Sequence, residues 1–229
     1  MYFQIAVEDM EPDHWVAWNL DLLGCYSAAR TSTEAIAQAT RSISRYFAWI
    51  SEHDHSIMIP EEPLETEVVE TFLSFPSQRD PSYIVNAFFE DDRRPLTCWD
   101  VVITQKLLDW SRESLLKIVQ GLDEQRLNQP IPGEVRGSIA GILEHVAGAE
   151  NWYFSQLSLC LERTTLLENL LARLAQVRTN TKEQFWKLIG ERQITENYDE
   201  RWSARKILRR TLWHERDHTQ QIEQLLKEG

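Results

Sequence analysis

The sequence predicts an α+β fold, in which a small N-terminal β-β-β-α domain is followed by an antiparallel four-helix bundle. In HWVAWNLDLL, the period of two that is typical of strands separates two sets of residues, His14, Val16, Trp18, Leu20 and Leu22 in one and Trp15, Ala17, Asn19 and Asp21 in the other. From residue 97 onward, apolar residues recur with the helical period of 3.6. The charged stretch EDDRRPLT separates the two patterns. We therefore assign residues 1–92 to the α+β domain with its linker and residues 93–229 to the bundle.

The N-terminal domain begins with two predicted strands, YFQIAVED and HWVAWNLDLL. Gly24 is expected at a bend or bulge that starts a third strand. Thr31 and Glu34 have the spacing of a capping box and open a predicted helix that ends near residue 55. The next segments, ETEVVETFLSF and PSYIVNAFFE, are expected to be strands that flank a turn at Pro76 to Pro81.

Four helices are predicted in the second half, over residues 97–119, 138–159, 165–189 and 203–227. Thr97 with Asp100, and Thr165 with Glu168, have capping-box spacing and mark two of the starts. Amphipathic helices of this length, joined by polar breaks, are typical of a four-helix bundle.

The net charge of −12 and the pI of about 5.0 argue against a general nucleic-acid-binding protein, because phosphate binding needs clustered basic residues. One local basic patch is expected just before the histidines of the last helix, at Arg205, Lys206, Arg209 and Arg210.

The composition favours a cytoplasmic protein. We expect no secretory signal, because the opening residues lack basic and apolar regions, and no apolar run is long enough to span a membrane. Cys25, Cys98 and Cys160 are odd in number and widely spaced, so they indicate neither a disulfide framework nor a zinc ribbon.

Two histidines on the last predicted helix, His214 and His218, are four residues apart and therefore point the same way. Imidazoles at this spacing can bind one metal ion, although hydrogen-bonded core histidines show it too. A third ligand has to come from another helix, and His145 is the candidate within the predicted bundle. Gly141 and Gly148 on its helix leave space beside it.

The second half resembles the DinB-like family, metal-binding four-helix bundles related to thiol-dependent transferases. The resemblance covers about residues 95–227. It rests on LEHVAGAENWY around His145 and on HERDHTQQ, which places His214, His218 and Gln221 in the family pattern His-x-x-x-His-Arg-x-Gln. Thr219 stands where the family often has Arg.

This resemblance implies that His145, His214 and His218 bind a divalent metal ion, zinc or nickel, and leave coordination positions open. Three protein ligands with an open position are the catalytic arrangement rather than the structural one. The implied function is a metal-dependent enzyme, either a transferase of a low-molecular-weight thiol or a hydrolase, with a small-molecule substrate.

The N-terminal half shows a shorter resemblance to the HicB-like antitoxin fold, carried by GCYSAARTSTEAIAQA. That resemblance implies a protein-interaction domain. The alternative function is therefore a metal-binding regulatory or antitoxin-like module without catalysis. Edge strands and flat helix faces leave surface to cover, so we also expect a homodimer.

Acidic and aromatic residues near the histidines have structural interpretations. Glu144 and Glu215 each adjoin a histidine in sequence and so point away from the ligands, and Glu215 is interpreted as a surface charge. Glu150 is interpreted as a structural partner between helices. Three tryptophans, Trp99, Trp110 and Trp152, could line a pocket, and core packing is the preferred interpretation.

Overall fold

A computed structural model of the chain describes residues 1–61 and 63–228. The predicted α+β class is confirmed, because N-terminal strands and a helix precede a helical region. The chain divides into two compact units. The first contains Met1–Pro95 with Arg192–Arg209, and the second contains Leu96–Glu191 with Arg210–Gly229.

The first unit contains a four-stranded sheet in the order β3-β2-β1-β4. Its strands are β1 Tyr2–Glu11, β2 His14–Asn19, β3 Tyr26–Ala29 and β4 Glu65–Leu73. The first three pair antiparallel, whereas β4 pairs parallel with β1. The predicted bend at Gly24 has a φ of 75°, a left-handed conformation that glycine adopts without strain.

The helix of the first unit is α1, Ser32–His53, and it starts where its capping residue predicts. The Thr31 hydroxyl accepts a hydrogen bond from the backbone N–H of Glu34 at 3.2 Å. Ala35 and Ala39 of α1 pack with Ile5 of β1 in one apolar cluster. The helix also provides the connection that a parallel β4 requires.

The segment before the second unit differs from its prediction. ETEVVETFLSF does form a strand, β4, but PSYIVNAFFE contributes only the short β6, Ile84–Val85, which pairs with β5, Phe75–Pro76. The charged stretch predicted as a linker holds a 3₁₀ turn, Glu90–Arg93.

The prediction of a basic surface patch is wrong, because Lys206 is fully buried and Arg209 is mostly buried. The Lys206 ammonium lies 2.6 Å from the buried carboxylate of Glu200. The Arg209 guanidinium lies 2.7 Å from the buried carboxylate of Asp92. Buried charges are retained when they are paired, so these side chains are structural members of the first unit and offer no surface to an anion.

The second part of the chain is mainly helical. Its helices are α2 Cys98–Val119, α3 Glu124–Leu127, α4 Ile139–Ser155, α5 Leu170–Lys187 and α6 Ala204–Glu228, and a short hairpin, β7 Thr195–Asn197 with β8 Glu200–Trp202, precedes α6. Thr97 and Asp100 form the predicted capping box. The prediction that Thr165 caps a helix is wrong. Asn169 caps α5 instead, since its side chain accepts from the N–H of Ala172.

The directions of the long helices follow from their contacts within the second unit. α2 and α5 run in opposite directions, whereas α4 and α5 run in the same direction. The contacts that establish this are Gln105–Lys182 and Arg112–Leu174 for the first pair, and Glu150–Arg178 and Phe154–Phe185 for the second. One apolar cluster contains residues of all four long helices, such as Leu115, Ile142, Leu174 and Ile222. Among the described residues, no helix has the length and hydrophobicity to cross a membrane.

Candidate metal centre

Helix α4 presents His145 beside two glycines that have different roles. Ser138 starts the helix by accepting a hydrogen bond from the N–H of Gly141 at 3.1 Å. A Cβ at Gly141 would lie 2.0 Å from the carbonyl oxygen of Arg136, so the preceding loop packs against this helix only because the position is glycine. A Cβ at Gly148 would meet nothing within 4 Å, which leaves the surface one turn beyond His145 open.

The structure brings the three predicted histidines together. The Nε2 atoms of His145 and His214 are 3.1 Å apart, and those of His214 and His218 are 3.2 Å apart. One ligand atom from each residue lies within 4.8 Å of the others. Nitrogens bound tetrahedrally to zinc at about 2.0–2.1 Å are about 3.3 Å from one another. The spacing therefore fits a single ion bound through three Nε2 atoms.

The hydrogen bonds around the cluster leave lone pairs directed at its centre. His218 Nδ1 lies 2.6 Å from Oε1 of Gln221. An amide oxygen only accepts, so Nδ1 carries the proton and Nε2 of a neutral His218 carries a lone pair. The Arg136 guanidinium lies 3.2 Å from His145 Nε2 and can only donate, so this nitrogen also carries a lone pair. A proton on His214 Nε2 could be donated to only one of the two neighbouring nitrogens, whereas a cation could accept the lone pairs of all three Nε2 atoms.

A relay of side chains extends outward from His218. The Gln221 amide donates from Nε2 to Oε2 of Glu134 at 2.8 Å. The other carboxylate oxygen of Glu134 accepts the backbone N–H of Arg136 at 2.9 Å. Glu134 thus orients the Gln221 amide, which in turn orients the His218 imidazole. It also holds the backbone of Arg136, whose side chain contacts His145. Such outer partners orient ligating histidines and raise metal affinity.

His145 and His214 are kept neutral, which is the form that binds metal. Burial, and then the positive charges of Arg136 and His218, lower the pKa of His145 to about 4. Burial, followed by the charges of His218 and His145, holds the pKa of His214 well below its ordinary value. Both imidazoles are therefore available as ligands at neutral pH.

Behind the histidines lies a buried cluster of four charges, which we call the ion tetrad: Arg112, Glu150, Arg178 and Glu215. Arg178 contacts Glu150 at 2.8 Å and Glu215 at 2.9 Å, and Arg112 contacts Glu215 at 2.7 Å. Burial lowers the pKa of Arg178, but the two carboxylates outweigh it and raise that pKa overall. The tetrad joins α2, α4, α5 and α6 at the level of His214, because Glu215 is the next residue along α6.

The tetrad confirms one interpretation and corrects another. Glu150 is the predicted partner between helices. Glu215 is not a surface charge, since it is only 2% exposed. The core interpretation is also wrong for Trp99 and Trp152, which are 70% and 39% exposed. Glu144 is exposed, in keeping with its expected direction away from the ligands.

Sequence reasoning missed Glu134 and Arg136, which lie in the loop before α4. The available signal was the segment GEVRG, in which two charged residues stand between glycines directly ahead of the helix that carries His145. Gly133 and Gly137 have φ values of 82° and 79°, which lets the loop turn tightly and bring both charges to the histidines.

Comparison with known proteins identifies one relationship. A family model described as mycothiol-S-transferase matches residues 104–222, slightly more than half of the chain. The match contains His145, His214, His218, Glu134 and Arg136. Neither a curated protein nor a solved structure matches the chain.

Proposed function

The chain belongs to the mycothiol-S-transferase family, and we propose that it is a metal-dependent enzyme that transfers a low-molecular-weight thiol to an electrophile. The observation that carries this proposal is the convergence of the three Nε2 atoms at 3.1 and 3.2 Å, with no carboxylate in the cluster. Three neutral nitrogen ligands leave a divalent ion with its full charge and with open positions.

His145, His214 and His218 would hold the ion, and we propose zinc or nickel because both suit imidazole ligands. A divalent ion held there would supply a Lewis acid that lowers the pKa of a thiol on its open side. The residues of the chain supply the rest. Gln221 and Glu134 hold His218 in one tautomer, and Gly148 leaves the helix surface one turn beyond His145 uncovered.

The proposed transfer has a simple balance. The sulfur of the thiol forms a bond to the electrophilic atom, the bond from that atom to its leaving group breaks, and the thiol proton passes to solvent. The imidazoles of His145 and His214 do not take this proton as bases, because in this proposal they are ligands and they have lowered pKa values.

Four further assignments are part of the proposal. Residues 93–229 form a DinB-like four-helix bundle, and residues 1–92 form a HicB-like domain. The protein works in the cytoplasm and is a homodimer. Light scattering at micromolar concentration tests the last assignment, and a monomer would refute it.

Metal analysis of protein purified without an affinity tag tests the function, together with matched variants. We expect about one ion per chain in the wild type, most of it lost in His218→Ala and all of it retained in His55→Ala, because His55 is an exposed residue of the first unit. A thiol-conjugation screen read by mass spectrometry should then give a product that depends on the metal.

Two outcomes would redirect the proposal. Bound metal with hydrolysis of the electrophile and no thiol conjugate would favour the hydrolase alternative. Metal content that is the same in His218→Ala as in the wild type would remove the three-histidine site and the enzyme with it, and would leave the regulatory, antitoxin-like alternative.

A further inference from the structure

Arg136 is held beside the centre by its backbone, while its side chain remains accessible. Its N–H donates to Glu134 and its carbonyl packs on Gly141, which fixes the position of its Cα. The residue is exposed, and its guanidinium reaches to 3.2 Å from His145 Nε2. A long cationic side chain therefore stands over the ligand atom at the accessible side of the cluster.

The one negative charge of Glu134 on the same loop would not balance this guanidinium together with a divalent ion. Within the described residues, no carboxylate lies within ion-pair distance of Arg136. The nearest acid on the loop, Glu134, accepts from Gln221 with one oxygen and from the backbone of Arg136 with the other. The histidines contribute no negative charge. A divalent ion with three neutral ligands would add two further positive charges beside the guanidinium.

A bound ion would also take the lone pair that Arg136 now contacts. The guanidinium would then lose its acceptor on His145 and would be repelled by the ion, yet its Cα would stay where the loop holds it. Its N–H donors would be left at the rim of the open side. Guanidinium groups bind carboxylates and related oxyanions with two parallel hydrogen bonds, which makes an anion the fitting occupant.

We propose that Arg136 is a specificity-determining residue that binds an oxyanion of the substrate, a carboxylate or a group of similar charge, beside the open side of the metal centre. This inference rests on the proposed function, and it restricts the thiol or its electrophile to molecules that carry such a group within reach of the metal. Neutral analogues bind more weakly because they leave the positive charge of Arg136 uncompensated.

The test uses the full chain loaded with cobalt(II), whose absorption spectrum reports each group that enters the metal centre. Acetate and acetamide form a first pair of probes. The second pair is 3-mercaptopropionate and 3-mercaptopropionamide, which share a thiol and differ in charge. Both pairs are titrated into wild type, Arg136→Gln, Arg136→Lys and the control Arg163→Gln, which changes an exposed arginine of the same unit.

We expect the anionic member of each pair to bind the wild type and Arg163→Gln about tenfold more tightly than the neutral member. This preference becomes smaller in Arg136→Gln, where only the ion attracts the anion, and it is partly kept in Arg136→Lys. The comparison of two probes in two variants cancels the difference in acidity between the two thiols. Equal preferences in the wild type and Arg136→Gln would overturn the inference.

Failure of the inference can be told from failure of the proposed function. If cobalt binds and the thiol affinities are the same with and without Arg136, the inference is overturned and the proposed function is not. Absence of a thiol signal counts against the thiol reaction, and the acetate pair then still decides the role of Arg136. Absence of cobalt binding overturns both.

Discussion

Replacing Gln221 by alanine is expected to weaken metal binding by roughly 10- to 100-fold, although Gln221 does not touch the metal position. Its amide oxygen accepts the Nδ1–H of His218 at 2.6 Å and so keeps Nε2 free as a ligand. Without it, the imidazole can rotate or place its proton on Nε2, and both changes compete with the metal. The neighbouring Gln220 is exposed and provides a matched control.

Glu134 acts one step further out, so its replacement should matter less. It accepts the Gln221 amide at 2.8 Å, and a hydrogen bond of this kind is worth about 0.5–1.5 kcal/mol. That range corresponds to a loss of roughly 2- to 12-fold in affinity. The double variant should lose little more than Gln221→Ala alone, because Glu134 supports His218 through Gln221 and its other contact is with the backbone of Arg136.

Zinc affinity measured by competition with a chromophoric chelator gives all four values, and circular dichroism controls for lost helix. The expected order of loss is Gln221→Ala, then Glu134→Ala, then Gln220→Ala with no loss. Equal losses in Gln221→Ala and Gln220→Ala would refute the relay. Additive losses in the double variant would refute the route through Gln221.

Three further predictions concern the scaffold of the second unit. Arg178→Met should lower the free energy of unfolding in urea by roughly 3–5 kcal/mol, because it leaves a buried carboxylate without its partner; a loss below about 1 kcal/mol would contradict the tetrad. The metal-free protein should lose stability as the pH falls from 6.5 towards 4, since His145 binds a proton in the unfolded chain at its ordinary pKa of 6.5 and in the folded protein only near 4. Denaturation of His145→Gln across this range should show a shallower loss, and an unchanged slope would exclude His145 as a source. Gly141→Ala should displace the Arg136 loop and weaken zinc binding, because the new Cβ would meet the Arg136 carbonyl. Gly148→Ala should instead stabilise the helix by up to about 1 kcal/mol, because its Cβ would meet nothing. If both variants changed the free energy of unfolding and the zinc affinity equally, the different surroundings of the two glycines would be contradicted.

Periodicity and capping residues predicted most individual elements, because both depend on neighbours along the chain. Thr31 and Thr97 cap the helices that they were expected to cap. Thr165 was a wrong choice because Asn169, four residues on, offers an equally good capping side chain closer to the apolar stripe of α5. The pairing of β4 beside β1 was not predicted, since a strand pattern does not identify its partner.

Glu215 shows where helical periodicity stops being informative. Its position one residue after His214 correctly indicated that it points away from the ligands. The direction away from the ligands was assumed to be solvent, whereas at this level of α6 it leads to Arg112 and Arg178. Which neighbours surround a helix depends on how helices from distant parts of the chain pack, and a single helical pattern does not contain this information.

The sequence by itself determined which side chains could bind a metal and which face of each helix carries them. Two histidines four residues apart on a helix point the same way wherever the helix lies. Only the tertiary structure decided that His145 meets them at ligand distance and that Glu134 and Arg136 complete the surroundings. The physical reason is that α4 and α6 are far apart in the chain, so their approach depends on packing of the whole helical core, and the loop reaches the centre only because Gly141 lets its backbone lie against α4.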